Sequence, residues 1–343
     1  MTVGACVGRD DSGSRSISGP DCIGLSGTIT MSISTESLKL CRRLWGRSKR
    51  QPLLEIECSG QRASDAITDA IQSAQPCMVS RFGSVELSGI LCSIDSQAGI
   101  SRFEKFRRFV NGETGFYWWT RSLKHRMRIN AGFFPPEERF LNQFGNRILK
   151  DLSQIDVLGC WLSEEQRLSE FYEDATRVPL DDLFPLYHES PWTTALEGQT
   201  VLVIHPFADS IEKQYRKREQ LFEDSQLLPR FHLKTLRAVQ SAAGETTRFR
   251  HWFEALEHMR RQVARIEFDT AIIGAGAYGM PLAADIKRMG KNAIHLGGIT
   301  QILFGVIGNR WSHLSHLFNS SWVRPSPEET PSGARLVEAA CYW

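Results

Sequence analysis

From about residue 61 onward, apolar and polar positions switch between a helical and a strand-like rhythm. SDAITDAIQSA (64–74) repeats apolar residues at helical spacing, and the short apolar run PCMVS follows it, which predicts a helix and then a strand. The turn Arg81-Phe82-Gly83 opens a second helix, SVELSGILCSI, completing a strand–turn–helix unit. Further along, IDVLG, TVLVIHP, HLKTLRAV, TAIIGAG and NAIHLGG are apolar strands, most ending in Gly or Pro, with amphipathic helices between several of them. Strands alternating with helices predict an α/β, Rossmann-like fold: a mainly parallel sheet with helices on both faces. Ligands of such sheets bind beyond the carboxyl ends of the strands, so chemistry is sought in the residues that follow each strand.

The first sixty residues do not share this rhythm. They are rich in Gly, Ser and Thr and then turn basic in RRLWGRSKR, so residues 1–60 are expected to form a flexible leader. Residues 61–318 then make the Rossmann-like catalytic domain, and 319–343 a C-terminal segment packed on it. A length of 343 residues with 41% hydrophobic and 23% charged residues suits one large core. The net charge of +2 gives no global field toward nucleic acid. Arg42, Arg43, Arg47, Lys49 and Arg50 around Leu44 and Trp45 read either as a solvated tail or as a peripheral contact with an anionic membrane.

No apolar run approaches the ~20 residues that span a bilayer, and MTVGACVGRDDSGSRSISG lacks the charged and apolar regions of a secretory signal, so a cytoplasmic protein is expected. Eight scattered cysteines, without a CxxC pair or zinc spacing, read as free thiols. The basic and aromatic stretch from Arg102 to Phe134 resembles a stacking surface for sugars or bases. It has no RNP-like motif, however, and helix core positions under Arg and Lys stems explain it as well, so no nucleic-acid partner is expected.

Three strand ends carry candidate chemistry. In Arg81-Phe82-Gly83-Ser84-Val85-Glu86, Gly83 permits a tight turn, Ser84 suits an N-cap, and Glu86 lies in the first helical turn. Arg81 and Glu86 thus flank one strand end, where a phosphate and its metal fit; the helix dipole also favours a carboxylate there without any function. In His205-Pro206-Phe207-Ala208-Asp209-Ser210, a strand runs into a helix N-terminus with Arg218 and other basic residues downstream, an anion site in outline. His205 also suits a purely structural role. Gly274-Ala275-Gly276-Ala277-Tyr278-Gly279 is a G-x-G-x-x-G between a strand and a helix. A dinucleotide site needs an acidic residue at the end of the next strand, and that strand ends His295-Leu296-Gly297-Gly298. NAD is therefore not expected, while a glycine turn offered to a phosphate, or close helix–strand packing, both remain open.

The segments RFGSVEL, NAGFFP, VLVIHPFADSIEKQYRKR, the Gly274–Trp311 stretch and the final VEAACYW resemble bacterial GT-D type glycosyltransferases and their relatives. The resemblance runs from about Ser80 to Trp343. It implies a Rossmann-like enzyme that transfers a sugar from a nucleotide-sugar donor, UDP-linked in expectation, to a glycan or glycoprotein acceptor in polysaccharide assembly. Family members follow the first glycine with Asp-x-Glu, which holds a divalent metal, Mn or Mg, and the donor diphosphate. Here those positions are Ser84, Val85 and Glu86, so the metal would rest on Glu86 with Ser84. The resemblance gives Glu86 and Ser84 the catalytic positions. Arg81, Gly83, His205, Ser210, Arg218, Gly274, Gly276, Tyr278, Gly279, Gly297 and Gly298 are expected on the donor phosphates. The alternatives are an NAD(P)-dependent oxidoreductase using the Gly274–Gly279 turn and an inactive nucleotide-sugar-binding relative.

Overall fold

The computed structural model describes residues 35–45 and 54–343, and its frame is a seven-stranded sheet in which every pair is parallel. The strands are β1 (Met78–Arg81), β2 (Val157–Cys160), β3 (Thr176–Pro179), β4 (Thr200–His205), β5 (His232–Arg237), β6 (Thr270–Ile273) and β7 (Asn292–His295), in the spatial order β3-β2-β1-β7-β6-β4-β5. The helices are α1 (Thr35–Trp45), α2 (Gln61–Gln72), α3 (Ser84–Gln97), α4 (Arg102–Val110), α5 (Arg121–Ile129), α6 (Glu138–Asp151), α7 (Ala208–Tyr215), α8 (Trp252–Val263), α9 (Gly279–Arg288) and α10 (Thr300–Leu303). The expected α/β architecture with helices on both faces is the one observed.

Alternation along each strand divides the core into two layers. Leu202 and Ile204 of β4, Ala271 and Ile273 of β6 and Met78 of β1 pack beneath α3, α5, α6, α8 and α9. Val201, Val203, Ile272 and Val79 face the other side, against α2, α7, α10 and the C-terminal segment. Because both faces are covered, the inner strands β4, β6 and β7 read as largely apolar runs. The helix after β1 lies on one face and the helix after the adjacent β7 on the other; β6 and β4 diverge in the same way. The loops therefore part at the carboxyl edge, where a doubly wound sheet opens a crevice.

One expectation changes. Residues 1–34 and 46–53 of the expected leader lie outside the described residues, but the rest of it belongs to the fold. The eleven residues of α1 place Leu38 against Phe109 and Val110, a helix too short to show as a period among Gly- and Ser-rich neighbours. Leu54 is buried in the main core, the Glu57 amide donates to the Arg177 carbonyl of β3 at 2.9 Å, and the Gly60 amide donates to Asp182 at 2.7 Å. The basic and aromatic stretch forms α4, α5 and their connection. Phe116, Tyr117 and Trp118 pack around Phe109, while Phe133 stacks between Phe144 and Trp252, so these rings serve the core.

Candidate functional site

One cleft runs along the carboxyl edge, lined by the residues that follow β1, β2, β4, β5, β6 and β7 and closed on one side by Arg310, Glu338, Tyr342 and Trp343. Each wall can be traced to its local sequence. At the end of β1 the chain turns through Gly83, the N-cap of α3, with an ordinary extended φ of −80°. Gly83 leaves room for the carboxylate of Glu86, which a Cβ here would displace. That carboxylate folds back toward its own backbone amide. Ser84 is then the first helical residue and exposed, a correction to its expected place as the cap. The amides of Ser84 and Val85 in this first turn have no acceptor among the described residues.

Arg81 dominates the electrostatics. It lies at the base of the cleft with its guanidinium 5.3 Å from the Trp161 ring centroid. Its buried Nε has no hydrogen-bond partner, and the group makes no ion pair among the described residues. Burial lowers its proton affinity, and Glu86 offsets this only in part. An arginine held this way presents unspent donors and an uncompensated charge, which favours an anionic ligand. Burial likewise raises the pKa of Glu86, with its own amide, Arg81 and Arg310 opposing.

Two histidines stand at neighbouring strand ends. His205 Nδ1 accepts from the Phe207 amide at 3.0 Å, which leaves the proton of the neutral ring on Nε2. His295 Nδ1 lies 3.2 Å from Ser80 Oγ. Burial pushes both rings down to about 3, with Arg81 contributing to His295.

The glycines of the third motif make room chiefly for these side chains. A Cβ on Gly279 would strike the His295 ring, and one on Gly274 would meet His205 at 2.5 Å and the Gly297 carbonyl at 2.7 Å. Gly276 has φ +52°, and its Cβ would point at the Ala131 carbonyl, 3.2 Å away, rather than at open space. Gly297 has φ +71° and lies under Arg81, while a Cβ on Gly298 would strike Tyr342. The Tyr278 ring is fully buried, stacked 5.0 Å from Trp252, with its hydroxyl 3.0 Å from Ser241 Oγ. Tyr278 is thus a buttress of the turn rather than a ligand group. What the turn offers a ligand is backbone, for the amides of Ala275 and Gly276 have no acceptor among the described residues.

Two expected site residues lie elsewhere. The N-terminus of α7 does hold an anion, but the anion is the protein's own Glu329. Its carboxylate accepts from the amides of Asp209 at 3.0 Å and Ser210 at 3.1 Å and from the Ser210 hydroxyl. Ser210 is therefore committed to the fold. Arg218 lies over Tyr215 beside a separate shallow groove and pairs with Glu219 at 2.5 Å.

Several lining residues were not foreseen. His295 and Trp161 follow correctly located strands, so their position was the available signal. Trp161 is 41% exposed, with its Nε1 donating to the Phe82 carbonyl at 2.9 Å. Arg310 pairs with Glu338, donates to the Tyr342 hydroxyl at 3.1 Å and lies 4.8 Å over that ring. No local pattern marks this wall. It is shaped by three successive left-handed residues, Glu338, Ala339 and Ala340, with φ of 45°, 56° and 62°. Each such residue costs about 1–2 kcal/mol, and the turn is held by Asn309 donating to the Ala340 carbonyl and the Arg310 amide donating to that of Cys341. Strain kept at a cleft wall fits a functional surface.

The donor set does not fit a hard divalent cation. Among the described residues no group of three or more His, Cys, Asp or Glu is placed to hold a metal ion, and the motif position two before Glu86 holds an exposed serine instead of a second carboxylate. No helix of the described residues is long and apolar enough to cross a membrane. No family model, curated protein or solved structure matches the chain.

Proposed function

We propose that the chain is a nucleotide-sugar-dependent glycosyltransferase, acting on a glycan or glycoprotein acceptor, with the carboxyl-edge cleft as its donor site. The observation that carries this reading is Arg81: a cation lining the cleft with no hydrogen-bond acceptor among the described residues, beside amides of the α3 turn and the Gly276 turn that also lack acceptors there. Two backbone segments, the β1–α3 turn with Arg81 and the Gly276 turn, line one cleft and offer it a cation and free amides, as a diphosphate requires. Half-exposed Trp161 beside Arg81 adds an apolar face for a base or sugar ring.

In this reading the acceptor hydroxyl attacks the anomeric carbon, a new C–O bond forms, and the bond to the diphosphate oxygen breaks. Arg81, with Arg310 at the facing wall, neutralises the charge that grows on the departing diphosphate. Glu86 takes the hydroxyl proton; burial raises its pKa, which makes it a stronger base than an exposed carboxylate. No step is assigned to a metal.

The test is calorimetric titration of the full chain, in the presence of EDTA, with UDP, UDP-sugars and NADH. Binding of a uridine nucleotide and turnover of one UDP-sugar are expected. Binding of NADH in preference to every nucleoside diphosphate would return the glycine turn to an oxidoreductase reading. Tight donor binding without hydrolysis or transfer would make the chain an inactive binding relative.

A further inference from the structure

Helix α1 has apolar residues on two opposite sides. One side packs inward: Leu38 is buried against Phe109 and Val110, Cys41 joins the same cluster, and the Arg42 guanidinium lies 5.1 Å over the Phe109 ring. The other side carries Leu40 and Leu44, one turn apart and 54% and 66% exposed. Phe103, three residues before Phe106 on the stripe of α4 that packs beside α1, is 74% exposed. A helix that needed only to cover a core would carry polar residues at Leu40 and Leu44.

The sequence around these side chains is strongly basic. Residues 35–50 contain Lys39, Arg42, Arg43, Arg47, Lys49 and Arg50 against the single acid Glu36, in a chain whose total is only +2. The positive charge is therefore concentrated beside the exposed apolar pair, and the remainder of the chain is net negative. Apolar side chains that project from a helix in a strongly basic stretch of sequence match an anionic bilayer surface, where the apolar groups enter the acyl boundary and the cations meet headgroup phosphates. A nucleic-acid strand fits less well, because leucines cannot stack on bases and the neighbouring Phe116, Tyr117 and Trp118 are packed around Phe109.

We infer that the face formed by α1 and the start of α4 docks the protein on an anionic lipid membrane. The inference stands apart from the transferase reading, since the cleft contributes nothing to it.

The experiment is flotation of the full chain with phosphatidylcholine vesicles, with and without phosphatidylglycerol. Co-flotation only with the anionic vesicles, weakened by added salt, is expected. Leu40→Gln/Leu44→Gln and Arg43→Glu/Arg47→Glu should each lower the bound fraction by roughly tenfold with unchanged melting temperature. Leu44→Gln alone serves as a milder variant should a double variant misfold. Equal flotation with neutral vesicles, variants that float like the wild type, full displacement by inorganic phosphate, or tighter binding of single-stranded RNA through the same residues would each overturn the inference.

Discussion

Arg81, His205 and Gly276 each make a different demand on their surroundings. Arg81 is a half-buried cation whose buried Nε has no hydrogen-bond partner among the described residues, so removing its charge should relieve the free protein while harming the liganded one. Arg81→Met is expected to leave the melting temperature unchanged or raised, because an uncompensated buried charge is unfavourable. The same change should weaken uridine nucleotide binding by more than about tenfold, or ~1.4 kcal/mol; a matched loss of stability and affinity would show that Arg81 serves the fold instead. His205 makes its demand on pH. In the unfolded chain its ring binds a proton below about 6.5, but in the fold burial delays this to about 3. Between those values the unfolded state holds more protons, so the stability contributed is complete above 6.5 and is lost as pH falls toward 3. Glu165, raised to about 7 by burial, works in the opposite sense above its usual value of 4.5. His205→Asn preserves an acceptor for the Phe207 amide and should flatten the dependence of urea midpoints on pH by up to about 1.4 kcal/mol per pH unit; an unchanged slope would mean His205 is not held neutral. Gly276 demands a left-handed backbone. Its missing Cβ faces the Ala131 carbonyl, so Gly276→Ala should cost about 1–3 kcal/mol of stability, measurable in the same denaturation series, with nucleotide affinity of the folded fraction little changed.

At the scale of elements, α7 shows how a correctly read feature can acquire a different meaning. The sequence around His205–Ser210 advertises a helix N-terminus suited to an anion, and such a site is present, but Glu329 comes from more than a hundred residues away to fill it. Nothing local to either segment foretells that pairing. Glu329 is buried and accepts from two amides and a hydroxyl, whereas Glu212 on the same helix pairs with Arg216 on an exposed surface. Glu329→Ala should therefore destabilise the protein by about 1.5–3 kcal/mol, the range for hydrogen bonds to a buried charged group, while Glu212→Ala costs about 0.3–0.5 kcal/mol; equal losses in thermal denaturation would deny the clamp. The strands were more legible. Six of the seven were located: the inner strands are short apolar runs because both faces of the sheet are covered there, and β5 at one edge mixes Leu with polar residues, with Leu236 alone buried. The one missed, β3, is the edge strand Thr176–Pro179, with only Val178 buried and a proline at its end, so it offers neither an apolar run nor an alternation. The site was legible where it follows strands and illegible where tertiary packing builds it: the Arg310–Glu338–Tyr342 wall is joined by contacts between segments with no shared pattern.

For the whole molecule, the C-terminal segment and residues 54–60 are part of the sheet domain rather than appended to it. Trp322, Val337, Cys341 and Trp343 sit in the same core layer as α7 and α10, and Trp343 Nε1 donates to the Glu329 carbonyl at 3.1 Å. At the other end the sheet domain takes in residues 54–60. Leu54 is buried, Arg177 of β3 pairs with Glu57 at 2.5 Å and donates to the Glu55 carbonyl at 3.1 Å, and the Gly60 amide reaches Asp182. Two truncations separate these contributions. A chain beginning at Leu54 loses α1 and with it the cover of Phe109 and Val110, but it keeps every contact that residues 54–60 make with β3 and the core. It should fold, retain nucleotide binding in the cleft and no longer float with anionic vesicles. A chain beginning at Gln61 loses in addition one buried leucine, worth about 1.5–3 kcal/mol, and the partners that anchor Arg177 at the sheet edge. Its melting temperature should fall below that of the Leu54 chain by roughly 2–4 °C for each kcal/mol. If the two truncated chains melt together, residues 54–60 are ornament on the sheet edge and the border belongs at residue 60 after all.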